Sequence, residues 1–464
     1  MRSSRRQLAT RRSVTPEIRI VSTTLAPPLP ALLGGPKAVT LDAREANRWP
    51  IITDEDIRAV TEVLQSGELS LNGVTRALED DYRNLLGVRH VIACCNGTSA
   101  IFAALHALGL KPGDEVLCPS ATYWASVMPV LWCGAVPVFC ETEMDQCGLD
   151  PEDVARKITP RTKAMIVVHL WGMPSKLDAL TAIARRHGLK LFEDASHAHG
   201  ATWRGQPVGT FGDAAVFSLQ TNKLAPAGEG GILVTHNDAI AEHVTCLGHF
   251  ERVIDLKTPA RRFAGTGFGM KHRMAPLSAA VARTQLRHMP ERNARRNDNL
   301  AYLSARLEAL GFNTFLPPSE AQRVYFMFMI ENRPERSGLP TRALVEALRA
   351  EGCEATYPRY PLLHQQPVFT EDKFIDLARL RHVPRSDLPT YRPDDLPRTI
   401  AANERMLQLP SFPRADRALL NQVVEAFEKV VAAADHIRSH LGSVSAAGNG
   451  SPPAAETAPM TANR

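Results

Sequence analysis

The stretch Leu189-Lys-Leu-Phe-Glu-Asp-Ala-Ser-His-Ala-His-Gly200 decides the fold of this chain of 464 residues. It opens on an apolar run, Leu189–Phe192, which is followed directly by two carboxylates. Similar runs, separated by helical stretches, are His90–Cys94, Glu115–Cys118, Val136–Cys140, Ala164–His169, Ala214–Leu219 and Gly231–Thr235. Continuous apolar runs that alternate with helices are typical of strands buried on both faces of a sheet. The sequence therefore predicts an α/β domain with a mostly parallel, seven-stranded sheet.

The pattern changes after about residue 290 and predicts a smaller α+β domain. Leucines at helical spacing between Leu300 and Leu310 indicate a helix that ends at Gly311. Val324–Ile330 has the pattern of a strand, and Leu420–Val431 that of a long amphipathic helix. We expect a large domain at residues 39–290 and a small C-terminal domain at residues 291–441.

The two ends of the chain are expected to lie outside these domains. Residues 1–38 begin with five arginines in the first twelve positions and continue into a proline cluster. Residues 442–464 are rich in serine, alanine, glycine and proline. Such segments bury too little apolar surface to offset the entropy lost on ordering. We expect both to be disordered tails, the alternative for the basic one being contact with an acidic partner.

Composition and charge exclude several classes of protein. The chain has 54 basic and 49 acidic residues, and a net charge of +5 is small for a protein that binds nucleic acid. The longest apolar stretch, Met128 to Cys140, is shorter than the roughly 18 residues that span a membrane. The eight cysteines form no Cys-x-x-Cys pair, which is typical of reduced thiols. We expect a cytoplasmic protein without nucleic-acid or membrane partners.

Polar residues follow several of the predicted strands, where α/β proteins bind their ligands. Asn96-Gly97-Thr98-Ser99 opens a helix, and its N–H groups and hydroxyls suit a phosphate, the alternative being an ordinary helix cap. Asp194 follows a buried strand and needs a cation or a donor, unless it only caps the next helix. Thr122-Tyr123-Trp124 offers rings that stack on a flat ligand or pack in the core.

A lysine completes this set of residues. Lys223 follows an apolar strand and precedes the glycine-rich turn Gly228-Glu-Gly-Gly231. Partial desolvation there lowers the pKa of an amine and makes it a nucleophile, whereas a solvated loop lysine would have no such role. A phosphate site, an aromatic residue, a strand-end Asp194 and then Lys223 occur in the order needed to hold pyridoxal phosphate (PLP).

The chain resembles the DegT/StrS family of sugar aminotransferases, which belong to the fold-type I PLP-dependent enzymes. The resemblance covers about residues 46–438, and the block from Asp194 to Lys223 is its most specific part. The segments that carry it are Cys95-Asn-Gly-Thr-Ser-Ala100, Lys111-Pro-Gly-Asp-Glu-Val116, Pro119-Ser-Ala-Thr-Tyr123, Val168-His-Leu-Trp-Gly172, Glu193-Asp-Ala-Ser-His-Ala-His-Gly200, Val208-Gly-Thr-Phe-Gly-Asp213, Ser218-Leu-Gln-Thr-Asn-Lys223 and Gly228-Glu-Gly-Gly231.

The resemblance implies roles for individual residues. Lys223 is the implied Schiff-base lysine, and Asp194 is the implied partner of the pyridine nitrogen. Tyr123 is implied to stack on the ring, and His197 to lie near it. A metal site at His197 and His199 is the alternative for the two histidines, but no third and fourth ligand match it. No metal is therefore expected.

The implied phosphate site has one departure from the family. Gly97, Thr98, Ser99 and Ser218 match the positions that bind the cofactor phosphate. In the family an asparagine of a Gly-x-Asn-x-Arg motif reaches the phosphate across the interface of a homodimer. Here Gly269-Met-Lys-His-Arg273 has Lys271 in that place, which would offer a charge instead of an amide. The expected assembly is a homodimer with its active site at the interface.

The implied reaction moves an amino group from an amino acid, L-glutamate, to a keto sugar that is usually linked to a nucleotide. A keto-cyclitol or an aminohydroxybenzoate-type precursor is an alternative acceptor. A pyridoxamine-dependent dehydratase would have a histidine at Lys223, and a PLP-binding regulator would not need the intact site. Acceptor contacts are expected near Leu71-Asn-Gly73 and Tyr357-Pro-Arg-Tyr360.

Overall fold

A computed structural model describes residues 29–447, with side chains as far as residue 441. Most of the two expected tails, residues 1–28 and 448–464, thus lies outside the described residues. The strands are β1 (His90–Cys94), β2 (Glu115–Pro119), β3 (Val136–Cys140), β4 (Thr162–Val168), β5 (Lys190–Asp194), β6 (Thr202–Trp203), β7 (Gln206–Pro207), β8 (Ala214–Ser218), β9 (Gly231–Thr235), β10 (Ala321–Gln322), β11 (Phe328–Glu331) and β12 (Met406–Leu409).

Helices cover most of the remaining chain. The α-helices are α1 (Arg44–Asn47), α2 (Asp54–Ser66), α3 (Gly73–Leu86), α4 (Gly97–Ala107), α5 (Met128–Trp132), α6 (Pro151–Lys157), α7 (Leu177–His187), α8 (Asp238–Gly248), α9 (Phe250–Val253), α10 (Pro276–Ala309), α11 (Pro334–Ser337), α12 (Thr341–Ala350), α13 (Pro367–Thr370), α14 (Lys373–Leu377), α15 (Pro397–Arg405), α16 (Arg417–Ala432) and α17 (Ala434–Ala447). Short 3₁₀ turns are Ala31–Leu33, Trp124–Ser126, Leu170–Gly172, Pro259–Phe263, Leu363–Gln365 and Arg385–Asp387.

The predicted strands form a seven-stranded sheet in the order β1-β9-β8-β5-β4-β2-β3. Strand β9 runs antiparallel to β1 and β8, and the other neighbouring pairs are parallel. The prediction of a mostly parallel sheet is therefore confirmed. A short connection suffices for an antiparallel neighbour, whereas a parallel one needs a crossover helix. The loop between β8 and β9 is thus free of a helix, and it carries Lys223.

Helices cover both faces of this sheet and bury two apolar layers. Leu105 of α4 belongs to the layer on one face, and Leu78 of α3 belongs to the layer on the other. Helix α4 begins at Gly97 because the Asn96 side chain accepts a hydrogen bond from the N–H of Ser99. The strand ends at Cys94, Asp194 and Ser218 share one edge of the sheet, because β1, β8 and β5 run in the same direction.

The small domain is built on helix α10, which has 34 residues and crosses the expected boundary at residue 290. One part of α10 packs on α2 and α3, and another packs on α16. The expected strand Val324–Ile330 is β11, which begins only at Phe328 and pairs with β12. The residues before it bond elsewhere: the N–H groups of Val324 and Phe326 donate to the carbonyls of Gly172 and Trp171.

The segment before α1 packs on the small domain. The buried carboxylate of Glu351 accepts hydrogen bonds from the N–H groups of Ala31 (2.6 Å) and Ala38 (2.9 Å). It also pairs with the buried ammonium of Lys429 at 3.0 Å. The expected boundary at residue 38 therefore falls inside a packed segment. At the other end, α17 crosses the expected boundary at residue 441.

Candidate active site

A cavity of about 330 Å³ opens at the edge of the sheet where β1, β5 and β8 end. Of the residues that the sequence predicts for the site, Gly97, Thr98, Tyr123, Asp194, His197, Ser218 and Lys223 line it. Ser99 and Lys271 do not. Segments up to 126 positions apart in the chain thus meet in one place, as strand ends of a parallel sheet do.

One wall of the cavity is the first turn of α4. The Asn96 side chain accepts a hydrogen bond from the N–H of Ser99 at 2.7 Å. The N–H groups of Gly97 and Thr98 have no partner in the described part of the chain, as is usual at a helix start. The Ser99 hydroxyl instead lies 3.4 Å from the thiol of Cys95. This wall therefore offers two free N–H donors and the Thr98 hydroxyl, but not Ser99.

Two glycines allow the backbone to come close at this wall. A Cβ atom on Gly97 would lie 3.0 Å from Cβ of Ser218. A Cβ atom on Gly231 would lie 2.6 Å from the carbonyl oxygen of Asn96, closer than real Cβ atoms approach. A side chain at Gly231 would push the start of α4 away from Ser218. The glycines therefore keep the free N–H groups and the Ser218 hydroxyl in one cluster.

Asp194 supplies a buried carboxylate, only 4% exposed. Its Oδ2 accepts a hydrogen bond from the Ser126 hydroxyl at 2.7 Å, and its Oδ1 accepts one from the N–H of Ser196 at 3.0 Å. Among the side chains of residues 29–441 it forms no direct ion pair. A buried carboxylate held only by neutral donors can still take a cation on its cavity side.

Lys223 supplies a buried amine, 8% exposed. Its Nζ lies 4.4 Å from the ring centroid of Phe326. Burial lowers the pKa of this amine from 10.5 to about 7; the charge of Asp194 raises it and that of Arg359 lowers it. A substantial fraction of the amine is therefore unprotonated at neutral pH, as a nucleophile or a base requires.

His197 is held in a stack of aromatic rings, with 4.1 Å between its centroid and that of Phe326. Its Nδ1 accepts the N–H of Trp171 at 3.4 Å, and its Nε2 lies 3.4 Å from the Tyr360 hydroxyl. Burial and the charge of Lys223 lower the pKa of His197 well below its usual value. The imidazole is therefore neutral, with its proton on Nε2.

His199 lies behind the cavity and not in it. Its ring is fully buried against Tyr82 and Phe217, and burial lowers its pKa to about 3. Neither ring nitrogen has a hydrogen-bond partner among the described residues. In that part of the chain no group of three or more potential ligands is close enough to hold a metal ion.

Lys271 lies outside the cavity of its own chain, and its side chain is exposed. The backbone beside it is tied to the sheet, because Arg273 bridges Cys94 and the His272 carbonyl accepts the N–H of Cys95 at 2.6 Å. Lys271 is therefore anchored near the start of α4, but its exposed side chain does not line the chain's own cavity.

Several cavity residues carry no motif that marks them in the sequence. Ser126, which holds Asp194, and Phe326, which covers Lys223, are an ordinary serine and phenylalanine in sequence terms. The expected acceptor loop is partly in place, since Arg359 and Tyr360 line the cavity. The other expected loop, Leu71–Gly73, lines grooves elsewhere. Among the residues of this wall of the cavity, the sequence predicts only the segment Tyr357-Pro-Arg-Tyr360.

Comparison with known proteins identifies the family. The pattern that defines the DegT/DnrJ/EryC1/StrS aminotransferase family matches residues 50–428. The chain belongs to this family. DegT/DnrJ/EryC1/StrS aminotransferases depend on PLP, and the chain is accordingly a PLP-dependent aminotransferase of the fold expected from its sequence.

Individual members of the DegT/DnrJ/EryC1/StrS family are similar over most of their length. Spore coat polysaccharide biosynthesis protein SpsC of Bacillus subtilis (strain 168) is 29% identical over 399 residues, 83% of this chain and 97% of SpsC. The structure of DesI in the presence of its TDP-sugar product is 30% identical with a TM-score of 0.71, covering 89% of this chain and 98% of DesI. The structure of 3-amino-5-hydroxybenzoic acid synthase is 29% identical with a TM-score of 0.70, covering 84% and 98%.

No helix within residues 29–447 is both long enough and apolar enough to cross a bilayer.

Proposed function

We propose that the chain binds PLP in this cavity and transfers an amino group from an amino acid, L-glutamate, to a nucleotide-linked keto sugar. The observation that carries the proposal is the pair formed by Lys223 and Asp194. One is a buried amine whose pKa lies near 7, and the other is a buried carboxylate that lacks a direct cationic partner. Together they suit an aldehyde at one end of a pyridine ring and a protonated nitrogen at the other.

The residues present fit PLP. The free N–H groups of Gly97 and Thr98 and the hydroxyls of Thr98 and Ser218 would hold its phosphate. Asp194 would hold a proton on the pyridine nitrogen, because burial favours pairing of its charge. Tyr123 and His197 would contact the ring. When bound, the cofactor supplies an aldehyde for the amino group and a ring that takes up electron density.

The chain's own groups then handle the protons. With a pKa of about 7, Nζ of Lys223 can take a proton from the donor's α-carbon and return it to a neighbouring atom. Neutral His197 holds its proton on Nε2, beside the Tyr360 hydroxyl. The ring of Phe326 excludes water from one side of Lys223.

The substrate side of the cavity supports an anionic substrate. Arg359 lines it, is exposed, and forms no ion pair with an acid in residues 29–441. Glutamate carries carboxylates and a nucleotide sugar carries phosphates, and both suit a guanidinium. The product named with DesI is a TDP-sugar, and SpsC is named for polysaccharide biosynthesis, which supports a nucleotide-linked sugar as the acceptor.

A second acceptor class also has support. The similarity to 3-amino-5-hydroxybenzoic acid synthase, with a TM-score of 0.70, is nearly as strong as the one to DesI, with 0.71. A keto-cyclitol or an aminohydroxybenzoate-type precursor is therefore the alternative acceptor. A regulator that binds PLP without turnover is the alternative from another class.

We include a homodimer in the proposal. Lys271 and its neighbours Phe268 and Met270 are exposed, and an exposed apolar strip beside a lysine suits the face of a second copy. Lys271 would then meet the phosphate in the partner's cavity. All eight cysteines carry free thiols, which supports a reducing compartment such as the cytoplasm. Light scattering of the purified protein tests the dimer.

The visible absorption spectrum tests the proposed function. The purified protein should be yellow with added PLP and should bleach when L-glutamate is added. A colourless protein that gains no band with PLP would overturn the proposal. Bleaching that a TDP-linked keto sugar reverses supports the first acceptor class, and reversal only by a keto-cyclitol supports the second. A yellow protein that no amino acid bleaches supports the regulator.

A further inference from the structure

Trp49 contacts the backbone of Lys223 from outside the cavity. Its indole Nε1–H donates to the carbonyl oxygen of Lys223 at 3.1 Å, although the two residues are 174 positions apart. Trp49 does not line the cavity. It therefore acts on the lysine through the main chain and not through the substrate space.

The face of the Trp49 ring is covered by a buried cation. The guanidinium carbon of Arg296 lies 4.0 Å from the ring centroid, and Arg296 is only 2% exposed. Arg296 forms no ion pair with an acid in residues 29–441, and its Nε has no hydrogen-bond partner there. Burial lowers its pKa to about 9. Nη1 of Arg296 donates to the side-chain oxygen of Asn293 at 3.4 Å, and the ring face is the other electron-rich surface next to this cation.

Helix α10 also holds the residues that follow Trp49. Gln285 and Arg292 both donate to the carbonyl oxygen of Ile51 at 3.0 Å, and Gln285 donates to Asp56 at 2.9 Å. Arg296 lies on the same helix. Helix α10, which packs on both domains, therefore holds Trp49 in two ways. Arg296 covers the face of its ring, and Gln285 and Arg292 bind the backbone that follows it.

The other hydrogen bonds of the loop that carries Lys223 lie within the loop. The N–H of Lys223 donates to the carbonyl of Gln220 at 2.7 Å, and those of Thr221 and Ala227 donate to Gly228 and Leu219. The buried side chains of Leu219 and Leu224 pack the loop against the core, but apolar packing does not fix the direction of a single carbonyl group. The bond from Trp49 fixes the carbonyl group of Lys223 itself.

We propose that Trp49, backed by Arg296, is a positioning residue that fixes Lys223 in the cavity. Its importance for catalysis rests on the proposed function of Lys223. An amine that moves protons between defined atoms loses rate when its backbone shifts by a fraction of an ångström. The cation over the ring polarises the indole and strengthens its N–H as a donor.

The test removes the N–H donor and keeps an aromatic ring. Trp49→Phe leaves a ring face for Arg296 but has no N–H. Trp203→Phe is the matched control, because the indole of Trp203 donates to Asp178 at 2.8 Å outside the cavity. Hydrogen exchange of residues 219–228 is measured in cofactor-free protein. We expect about tenfold faster exchange in Trp49→Phe and no change there in Trp203→Phe.

Steady-state kinetics give the second readout. We expect kcat of Trp49→Phe to fall about tenfold while KM for L-glutamate stays within about threefold, because substrate contacts are intact. Wild-type exchange and wild-type kcat in Trp49→Phe would overturn the inference. If Trp49→Phe fails to fold, 3-benzothienylalanine at position 49 keeps the shape of tryptophan without its N–H, and the same expectations apply.

The two proposals fail in different ways. The exchange measurement needs no cofactor, so it tests the contact even if the wild-type protein binds no PLP. A wild-type enzyme that transaminates, with a Trp49→Phe variant that matches it in exchange and kcat, would remove this inference and leave the proposed function intact.

Discussion

The cavity has two sides that are built in different ways. The motif side (Gly97, Thr98, Asp194, Ser218 and Lys223) comes from strand ends and short loops of one sheet. The aromatic side (Phe326, Arg359 and Tyr360) comes from segments that pack over that edge from farther away. Asp194 and Lys223 on the motif side are buried and Thr98 and Ser218 are half-buried, whereas Arg359 on the aromatic side is exposed.

Under the proposed function, this difference separates the residues that carry out the reaction from those that select the substrate. Groups that must hold fixed positions and shifted pKa values lie on the rigid sheet edge. Groups that meet a variable substrate lie on connecting segments, as is usual for binding residues. Changes on the motif side should therefore act on the reaction itself, and changes on the aromatic side should act on substrate affinity.

The largest effect is expected for Lys223→Ala. Without the amine, the glutamate-dependent bleaching should slow by about 10⁴-fold or more, while circular dichroism shows a folded protein. Lys190→Ala is the matched control, because Lys190 is paired with Asp213 on the surface of the same sheet. A Lys223→Ala variant that bleaches at the wild-type rate would show that the motif side is wrongly assigned.

Neighbouring carboxylates provide the next test. Asp194→Asn should lower the rate of bleaching by about 10²–10³-fold. The loss of stability should be small, because asparagine can keep the hydrogen bonds with Ser126 and Ser196 and lacks only the charge. Glu193 is fully used by the N–H groups of Gly209, Phe211 and Gly212 and by Nε2 of the buried His169 at 3.0 Å. Glu193→Gln should instead cost about 2–3 kcal/mol in the free energy of unfolding and leave the rate nearly unchanged. Urea titration measures the stability of both variants, and kinetics measure the rate of bleaching. A loss of stability without a loss of rate in Asp194→Asn, together with a loss of rate in Glu193→Gln, would contradict the assignment.

The buried amine should also destabilise the protein without cofactor. The pKa of Lys223 is about 7 when folded and 10.5 when unfolded, so the unfolded chain binds the proton more tightly between these values. Stability should rise with pH from about 7 to 10.5 and be lowest below pH 7. Lys223→Met should therefore be more stable than wild type at pH 7, by up to about 4 kcal/mol, and the gain should shrink towards pH 10.5. Urea titrations at both pH values check this, and a gain independent of pH would contradict it.

The smallest effect is expected on the aromatic side. Arg359→Met should raise KM for an anionic substrate about tenfold in at least one half-reaction, with kcat nearly unchanged and Arg359→Lys in between. Arg381→Met is the control, because Arg381 pairs with Asp376 on the surface. A fall in kcat at constant KM would mean that the two sides are not separate in function.

The two sides also differ in how far sequence predicts them. Asp194 and Lys223 are predicted because Asp194 ends one strand and Lys223 follows shortly after another, and the apolar runs of both strands are visible in the sequence. Ser99 belongs to the same motif, yet its N–H is taken by Asn96, a detail of helix capping that residue types alone do not settle. Phe326 reaches the cavity only through tertiary packing, so no local pattern marks it.

The domain boundaries show the same limit. The change of pattern near residue 290 is real in the sequence, but the backbone there continues as a helix through Pro290. Proline lacks an N–H and disturbs a helix, yet packing of α10 on both domains holds it. Packing contacts along the whole of helix α10 therefore outweigh the helix-breaking effect of a single proline.

Helix α10 has a consequence for how the molecule unfolds. No flexible linker separates the two domains at this crossing, because a single rod of 34 residues belongs to both. Melting either end of the rod removes packing surface from the other domain, so the described body should lose structure in one cooperative calorimetric transition. For the same reason, the large domain cannot complete its fold on the ribosome until the residues that end α10 have emerged.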